Sequence, residues 1–269
     1  MTIKCGFIGL GSQGAPIARR MLDGGFDVML WARRPASLAA FADTNAKTAS
    51  SVAELGAQAE HVGICVVDDA GVREVAAMLI PAMRLGTRIV IHSTVHPDTC
   101  IQLAERARSR GIELLDAPVS GGEPAAKAGA LTVMAGGAGD AFAAAKPVFE
   151  SFGRLIVHLG DVGAGQKAKL INNALMAAHM ALAQHALQIG AKLQLDRVAL
   201  VELIKGSSGR SFGFETQARL PTPQAFAHGG SLLAKDVRLL DALLAQDPDV
   251  AAIRDAAVPF LNATQNKPA

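Results

Sequence analysis

The segment that most constrains the fold is a glycine-rich turn directly after the first apolar run. Residues 3–8 have the composition of a buried strand, and Gly9-Leu10-Gly11-Ser12-Gln13-Gly14 follows at once. Helical periodicity then covers residues 15–22, and a second apolar run covers residues 26–31. A strand, a Gly-x-Gly-x-x-Gly turn, a helix and a second strand within about thirty residues form the context in which this turn binds a dinucleotide.

The three glycines of this turn have separate functions. The first allows a tight turn, the second lets the backbone approach a pyrophosphate, and the third lets the helix pack closely on the strand. The start of the helix offers N–H groups and a partial positive charge to the phosphates. We therefore predict that all six residues of the turn bind a dinucleotide cofactor.

The end of the second strand predicts which dinucleotide is preferred. An NAD-binding protein usually places an acid there for the ribose 2′-hydroxyl. This chain has Arg33 and Arg34 and no acid at that point. A guanidinium group can donate two parallel hydrogen bonds to the oxygens of one phosphate. The sequence therefore favours NADP(H), which has a 2′-phosphate, with NAD(H) as the second option. The alternative is that both arginines are solvated loop residues.

Strand and helix patterns alternate up to about Gly160. Further strands are predicted over residues 61–67, 87–92, 112–115, 131–135 and 154–159. The carboxyl ends of strands in a doubly wound sheet face the cofactor, so Val67, Asp68 and Thr94 are candidates for its nicotinamide side. The alternatives are that Asp68 caps the following helix and that Thr94 forms a local turn.

From residue 166 onward the pattern is helical, beginning with one long helix predicted over residues 166–193. The predicted fold is α/β, with an N-terminal Rossmann-type doubly wound sheet in residues 1–161. An all-α C-terminal domain in residues 162–269 follows, joined to the sheet by the long helix. Ser51 and Asp196 are predicted to cap the helices that follow them.

Two short segments carry candidate substrate groups. Ser120-Gly121-Gly122 follows a predicted strand and exposes a hydroxyl and backbone N–H groups, which suits a carboxylate, although a plain glycine-rich turn has the same composition. Lys169 and Asn173 are four residues apart on the long helix and so lie on one face, whereas Lys167 must point nearly the opposite way. A lysine on a mostly apolar helix is paired or functional, or it extends to water from the helix start.

Composition excludes several other classes of protein. The net charge is +2 over 269 residues, aromatic residues make up 4% and tyrosine is absent, which argues against nucleic-acid binding. The three cysteines are far apart and the seven histidines show no ligand spacing, so we expect free thiols and no metal. We see no signal peptide and no apolar span, and therefore expect a cytoplasmic protein with no membrane partner. The apolar helical half predicts a homodimer or homotetramer.

Four motifs, in order, resemble those of the β-hydroxyacid dehydrogenase family. This family includes 3-hydroxyisobutyrate dehydrogenases, tartronate semialdehyde reductases and glyoxylate/succinic semialdehyde reductases. The motifs are the glycine-rich turn at 9–14, the segment 116–122 with its continuation at 129–132, the pattern Gly163-x-Gly165-x-x-x-Lys169-x-x-x-Asn173, and Lys235-Asp236. The chain departs from the family at Gln13, where Met is usual, at Val66-Val67-Asp68, where Met-Leu-Pro is usual, and at Ala32, where Asn is usual.

The resemblance implies roles for particular residues. Lys169 is implied as the catalytic acid/base and Asn173 as a substrate ligand, with Ser120, Gly121 and Gly122 on the substrate carboxylate. Thr94 and Lys235 are implied to approach the nicotinamide half of the cofactor, and Arg33 the 2′-phosphate. The family also implies a helical C-terminal domain of the 6-phosphogluconate dehydrogenase type.

The expected function is therefore an NADP-dependent oxidoreductase. It would interconvert a small β-hydroxy acid and its semialdehyde or keto acid. Two alternatives are an NADPH-dependent imine reductase on the same fold and a non-catalytic NADP-binding interaction protein. The lysine and the Ser-Gly-Gly segment favour the hydroxyacid chemistry over both.

Overall fold

A computed structural model of the chain describes residues 3–266. Within this range the chain forms strands and helices in alternation and then helices alone. The strands are β1 (Lys4–Ile8), β2 (Asp27–Trp31), β3 (Lys47–Thr48), β4 (His61–Ile64), β5 (Arg88–Ile91), β6 (Glu113–Asp116), β7 (Val119–Ser120), β8 (Leu131–Ala135) and β9 (Gly153–His158). The α-helices are α1 (Gly14–Asp23), α2 (Val52–Gln58), α3 (Asp69–Leu79), α4 (Pro97–Arg108), α5 (Gly122–Lys127), α6 (Gly139–Phe149), α7 (Ala164–Lys192), α8 (Arg197–Lys205), α9 (Phe212–Ala218), α10 (Ala227–Leu243) and α11 (Pro248–Thr264).

Six strands form one parallel sheet in the order β3-β2-β1-β4-β5-β6. This order is that of a Rossmann fold, in which the chain reverses direction across the sheet next to β1. One apolar cluster includes Leu55 and Leu79 from α2 and α3, and a second includes Ile17 and Phe149 from α1 and α6. Both clusters also take residues from the strands, so both faces of the sheet are covered and the predicted fold is confirmed.

The remaining strands form a second, smaller sheet in the order β7-β8-β9. β7 and β8 are antiparallel, whereas β8 and β9 are parallel. A single bridge between Asp116 and Gly136 links the end of β6 to this sheet. The sequence pattern finds β8 and β9 but not β7, because a two-residue strand is too short to show alternation.

The chain divides into two compact units, Met1–Lys169 and Leu170–Ala269. The division falls within helix α7: residues 164–169 of the helix are in the first unit, and the rest of the helix is in the second. The domain boundary predicted after residue 161 lies just before this helix. The helical unit has its own apolar core, which includes Leu170, Met180 and Phe260. None of the helices described in residues 3–266 combines the length and apolar character that crossing a bilayer requires.

Candidate active site

The glycine-rich turn has the local geometry that a dinucleotide pyrophosphate requires. A Cβ atom on Gly14 would stand 1.9 Å from the carbonyl oxygen of Gly9, so the start of α1 packs directly on the turn. A Cβ on Gly11 would meet nothing within 4 Å, so the backbone there is open to a ligand. Gln13 precedes α1 without a side-chain cap, and no acid lies in the first turn. The residues present therefore fit a phosphate-bearing cofactor.

Arg33 and Arg34 are both exposed after the end of β2. The Arg33 guanidinium forms an ion pair with the carboxylate of Glu74 on α3. Exposed pairs of this kind contribute little to stability, so the guanidinium is available to another anion at small cost.

The predicted residues at the other strand ends differ in what their side chains contact. Val67 is 76% exposed after β4, and Thr94 is half-buried after β5. The Asp68 carboxylate accepts a hydrogen bond from the backbone N–H of Gly71 at 2.9 Å and so caps α3. Asp68 therefore forms the helix cap that was the alternative interpretation of this residue.

The predicted carboxylate cradle begins within the small sheet, at the end of β7. Ser120 is half-buried and pairs with Thr132 across β7 and β8. Gly121 and Gly122 both have positive φ angles, of 128° and 69°. Since other residues rarely adopt these angles, the glycines turn the backbone sharply between β7 and α5.

The two lysines at the start of α7 differ in burial. The Lys169 residue is only 7% exposed, whereas Lys167 is exposed. Lys169 and Asn173 lie one helical turn apart on the same face, and Asn173 is also buried, at 8%. The two lysines differ in this way because residues two apart on a helix point in nearly opposite directions.

Asn173 is held by a residue that was not among the predicted site residues. Its Nδ2 donates a hydrogen bond of 2.6 Å to Oδ2 of Asp236 on α10, and its Oδ1 accepts one of 3.1 Å from Nδ2 of Asn172. Asp236 is 2% exposed, and its Oδ1 lies 3.4 Å from Nζ of Lys235. The acid directly after Lys235 was the sequence signal that could have identified it.

A second unpredicted acid, Asp116, ends β6 with no exposed surface. Its carboxylate accepts hydrogen bonds from the backbone N–H groups of Gly163 and Gln166, at 2.6 and 2.7 Å. Burial raises the pKa of Asp116, and these N–H donors act against that rise. The start of the helix that carries Lys169 is therefore bonded to the end of a sheet strand.

Comparison with known proteins identifies the family. Residues 4–160 match the family model for the NAD binding domain of 6-phosphogluconate dehydrogenase. Residues 163–264 match the model for the NAD-binding domain of NADP-dependent 3-hydroxyisobutyrate dehydrogenase. The 3-hydroxyisobutyrate dehydrogenase of Pseudomonas aeruginosa is 36% identical over 248 residues, which cover 87% of this chain and 80% of the relative.

Solved structures agree with these matches. The structure of Mycobacterium tuberculosis 3-hydroxyisobutyrate dehydrogenase with L-serine has a TM-score of 0.85 and 27% identity, and the match covers 99% of both chains. An imine reductase from Pseudomonas sp. has a TM-score of 0.61 at 20% identity, with coverage of 99% of this chain and 93% of that one. That likeness shows a shared fold only.

The glycine-rich turn, the Rossmann strand order and these matches lead to one conclusion. The chain belongs to the β-hydroxyacid dehydrogenase family of NAD(P)-dependent oxidoreductases, of the 3-hydroxyisobutyrate dehydrogenase type.

Proposed function

We propose that the protein is an NADP-preferring dehydrogenase that interconverts a small β-hydroxy acid and its semialdehyde or keto acid. The observation that carries the proposal is the burial of Lys169, one helical turn from Asn173, which is also buried. A buried amine beside a buried amide can exchange a proton with a substrate oxygen and donate a hydrogen bond to it. Bound NADP(H) supplies or accepts the hydride at the carbon that carries the substrate oxygen.

Lys169 donates a proton to the carbonyl oxygen during reduction and removes one from the hydroxyl during oxidation. Asn173 keeps one amide N–H toward Asp236. A primary amide has a second N–H donor, and we assign this donor to the substrate oxygen. Asp236 then fixes the orientation of the Asn173 amide without contacting the substrate.

The substrate class follows from the carboxylate cradle and from the relatives. Ser120, Gly121 and Gly122 offer a hydroxyl and turned backbone N–H groups that suit one carboxylate. One relative is named for 3-hydroxyisobutyrate, and one solved structure was obtained with L-serine. Both molecules are small carboxylates with a hydroxyl on the β carbon, and we extend that class to this chain.

The cofactor preference rests on Arg33 and Arg34. Both guanidiniums are exposed just beyond β2, where the chain offers no acid for a ribose 2′-hydroxyl. We therefore assign them to the 2′-phosphate of NADP(H), with NAD(H) bound more weakly. Thr94 and Lys235 are assigned to the nicotinamide half, and Val67 and Asp68 to the adjacent rim.

We further propose that the protein is a homodimer or homotetramer. Ile171, Leu175, Leu182 and Ile189 are each at least 44% exposed on α7. At 3.6 residues per turn they fall within about 40° of one another, on the side of the helix opposite Lys169. Such an apolar stripe is typical of a helix covered by a second chain.

The proposed reaction is tested by following NADPH consumption with short carbonyl acids, including succinic semialdehyde, glyoxylate and tartronate semialdehyde. A panel of cyclic imines is run in parallel. Turnover of a carbonyl acid supports the proposal. Turnover of imines alone would identify an imine reductase, and NADPH binding without turnover of either panel would identify a non-catalytic protein.

A further inference from the structure

The side chain of Gln166 forms two buried hydrogen bonds to the segment that follows β5. Its Nε2 donates to the carbonyl oxygen of Ser93 at 2.8 Å, and its Oε1 accepts from the backbone N–H of Val95 at 3.1 Å. These two backbone groups lie on either side of Thr94. Gln166 itself has no exposed surface, so neither bond competes with water.

Asp116 fixes the same helix from the end of β6. The first N–H groups of a helix have no partner within the helix, and a carboxylate satisfies them while complementing the helix dipole. Asp116 bonds to two such groups, on Gly163 and Gln166. The backbone approaches closely here, because a Cβ atom on Gly165 would stand 2.2 Å from the carbonyl oxygen of Met134.

The network continues to the neighbouring strand. The hydroxyl of Ser93 accepts a hydrogen bond of 2.8 Å from the backbone N–H of Val66, just beyond β4. The start of α7 is thus bonded to the last residue of β6 and to the segment that follows β5, and Ser93 links that segment to the one that follows β4. All of these contacts lie within the unit Met1–Lys169.

Gln166 precedes Lys169 by three residues, so both side chains leave α7 on one face. Two bonds from Gln166 and two bonds to Asp116 together fix both the rotation and the axial position of this turn. We propose that Gln166 and Asp116 are positioning residues that hold Lys169 in a fixed relation to Thr94. The proposal rests on the proposed function, in which Lys169 moves the proton and Thr94 lies beside the nicotinamide.

The first test is Gln166→Met, which keeps the side-chain volume and removes both hydrogen bonds. We expect kcat per folded site to fall about 10- to 100-fold, as misplacement of a proton donor does. The Kd for NADPH should stay within threefold of the wild type. The primary deuterium isotope effect on kcat, measured with deuterated NADPH, should rise because the chemical step becomes slower. A merely structural defect lowers the active fraction and leaves the isotope effect unchanged.

Thr87→Val is the matched control. Thr87 is buried at the amino end of β5, and its hydroxyl donates to the carbonyl oxygen of Arg84. The substitution also removes a side-chain hydrogen bond at constant shape, but at the opposite end of the same strands. It should lower stability and keep kcat within twofold. A kcat for Gln166→Met within threefold of the wild type, or an unchanged isotope effect, overturns the positioning role.

The second test does not depend on turnover. Hydrogen–deuterium exchange of peptides that cover residues 163–170 reports on the N–H groups bonded to Asp116. We expect exchange at least tenfold faster in Asp116→Asn, since one oxygen acceptor is replaced by a donor, and unchanged exchange in Thr87→Val. Equal exchange in Asp116→Asn and wild type overturns the anchoring of α7.

The two tests separate the two proposals. If the wild type turns over no substrate, the proposed function fails, and the exchange measurement still decides whether Asp116 anchors α7. If Asp116→Asn does not fold, exchange is measured in Gln166→Met, where it should be at least threefold faster than in the wild type. Unchanged exchange in that variant also overturns the anchor.

Discussion

At the scale of single residues, three buried charged residues bear on the proposed function. Lys169, Asp116 and Asp236 are each less than 10% exposed. A buried charge without compensation is strongly destabilising, so such residues persist where they are paired, hydrogen-bonded or used in chemistry. Asp116 and Asp236 are hydrogen-bonded in the structure, and the proposed function assigns proton transfer to Lys169.

Replacing Lys169 by methionine tests that assignment directly. The variant keeps the apolar stem and removes the amine, so we expect kcat to fall about 100- to 10,000-fold while NADPH still binds. Lys167→Met is the matched control, because Lys167 lies two residues away and is exposed. It should retain wild-type turnover. Lys169→Met activity within tenfold of the wild type would contradict the acid/base role.

Arg33→Ala tests the cofactor preference. Loss of a charge-assisted contact to phosphate should weaken NADPH binding about 10- to 100-fold and leave NADH binding nearly unchanged. Glu74→Gln is the companion variant, since Glu74 holds the Arg33 guanidinium through an exposed ion pair. Its removal should strengthen NADPH binding by no more than about fivefold. Equal weakening of NADPH and NADH in Arg33→Ala, measured by calorimetry, counts against a 2′-phosphate contact.

At the scale of elements, local signals in the sequence predicted most of the regular structure. The strand predicted over residues 131–135 is β8, and the helix predicted over 166–193 is α7, which begins two residues earlier. The two predicted caps are confirmed. The hydroxyl of Ser51 accepts from the N–H of Glu54 at 3.1 Å, and Asp196 accepts from the N–H of Ala199 at 2.8 Å. Caps and periodic patterns act over a few residues, which is why the sequence reveals them.

The contacts that the sequence did not predict join distant parts of the chain. Asp116 bonds to N–H groups 47 and 50 residues away, and Gln166 bonds to Ser93 across 73 residues. Asn173 and Asp236 are 63 residues apart. No local pattern encodes such partners, because they depend on how strands and helices pack in three dimensions. The resemblance to the family implied roles for Lys169 and Asn173 but none for Asp116 and Asp236, although both acids lie in matching motifs.

Gly165→Ala tests the close approach of α7 to β8. The added methyl would stand 2.2 Å from the carbonyl oxygen of Met134 and 2.9 Å from the Asp116 carboxylate, so one of these must move. We expect the free energy of unfolding to fall by about 1–3 kcal/mol in urea titrations, as overpacking does. Gly139→Ala is the control, since a Cβ there meets nothing within 4 Å. Equal stability of the two variants would show that the helix start is not closely packed.

At the scale of the whole molecule, two buried histidines predict how stability depends on pH. Burial lowers the pKa of His92 to about 4 and that of His61 well below 6.5. The Nδ1 of His92 lies 2.8 Å from the carbonyl oxygen of Ala117, and its ring packs against Phe7, Phe149 and Phe152. Both histidines are therefore neutral in the folded protein near neutral pH.

The sign of the effect follows from proton binding. Below about pH 6.5 a histidine in the unfolded chain binds a proton, whereas the buried one in the folded protein stays neutral. The free energy of unfolding is therefore unaffected by these histidines above that pH and declines toward pH 4. The decline is about 1.4 kcal/mol per pH unit for each histidine. Asp116 has the opposite effect on the free energy of unfolding. As the pH falls below the raised pKa of Asp116 in the folded protein, its carboxyl binds a proton more readily than the same carboxyl in the unfolded chain, which favours the folded state.

Urea titrations at pH 7.5 and 5.0 measure this decline. His92→Asn keeps a donor for the carbonyl oxygen of Ala117 and removes one titrating ring. The variant should have a lower free energy of unfolding at pH 7.5. The loss of unfolding free energy between pH 7.5 and pH 5.0 should be about half of that in the wild type. An unchanged difference would mean that His92 does not contribute to the acid sensitivity.

The apolar stripe on α7 predicts association between copies of the chain. Leu182 is 59% exposed and lies within that stripe. Leu182→Glu should shift sedimentation toward a monomer, because it places a charge in an interface that excludes water. Gln188→Glu introduces the same charge at an exposed position off the stripe and should leave the assembly intact. A monomeric wild type would exclude this interface.

The presence of two sheets has a consequence for redesigning the enzyme. The glycine-rich turn follows β1 of the parallel sheet, whereas the Ser-Gly-Gly segment begins with the last residue of β7 in the small one. Residues 119–135 contain this segment together with β8, the strand that pairs with β7, and we expect them to be transferable as one piece between relatives. We expect such chimaeras to inherit the donor's choice of acid and to retain the recipient's choice of coenzyme.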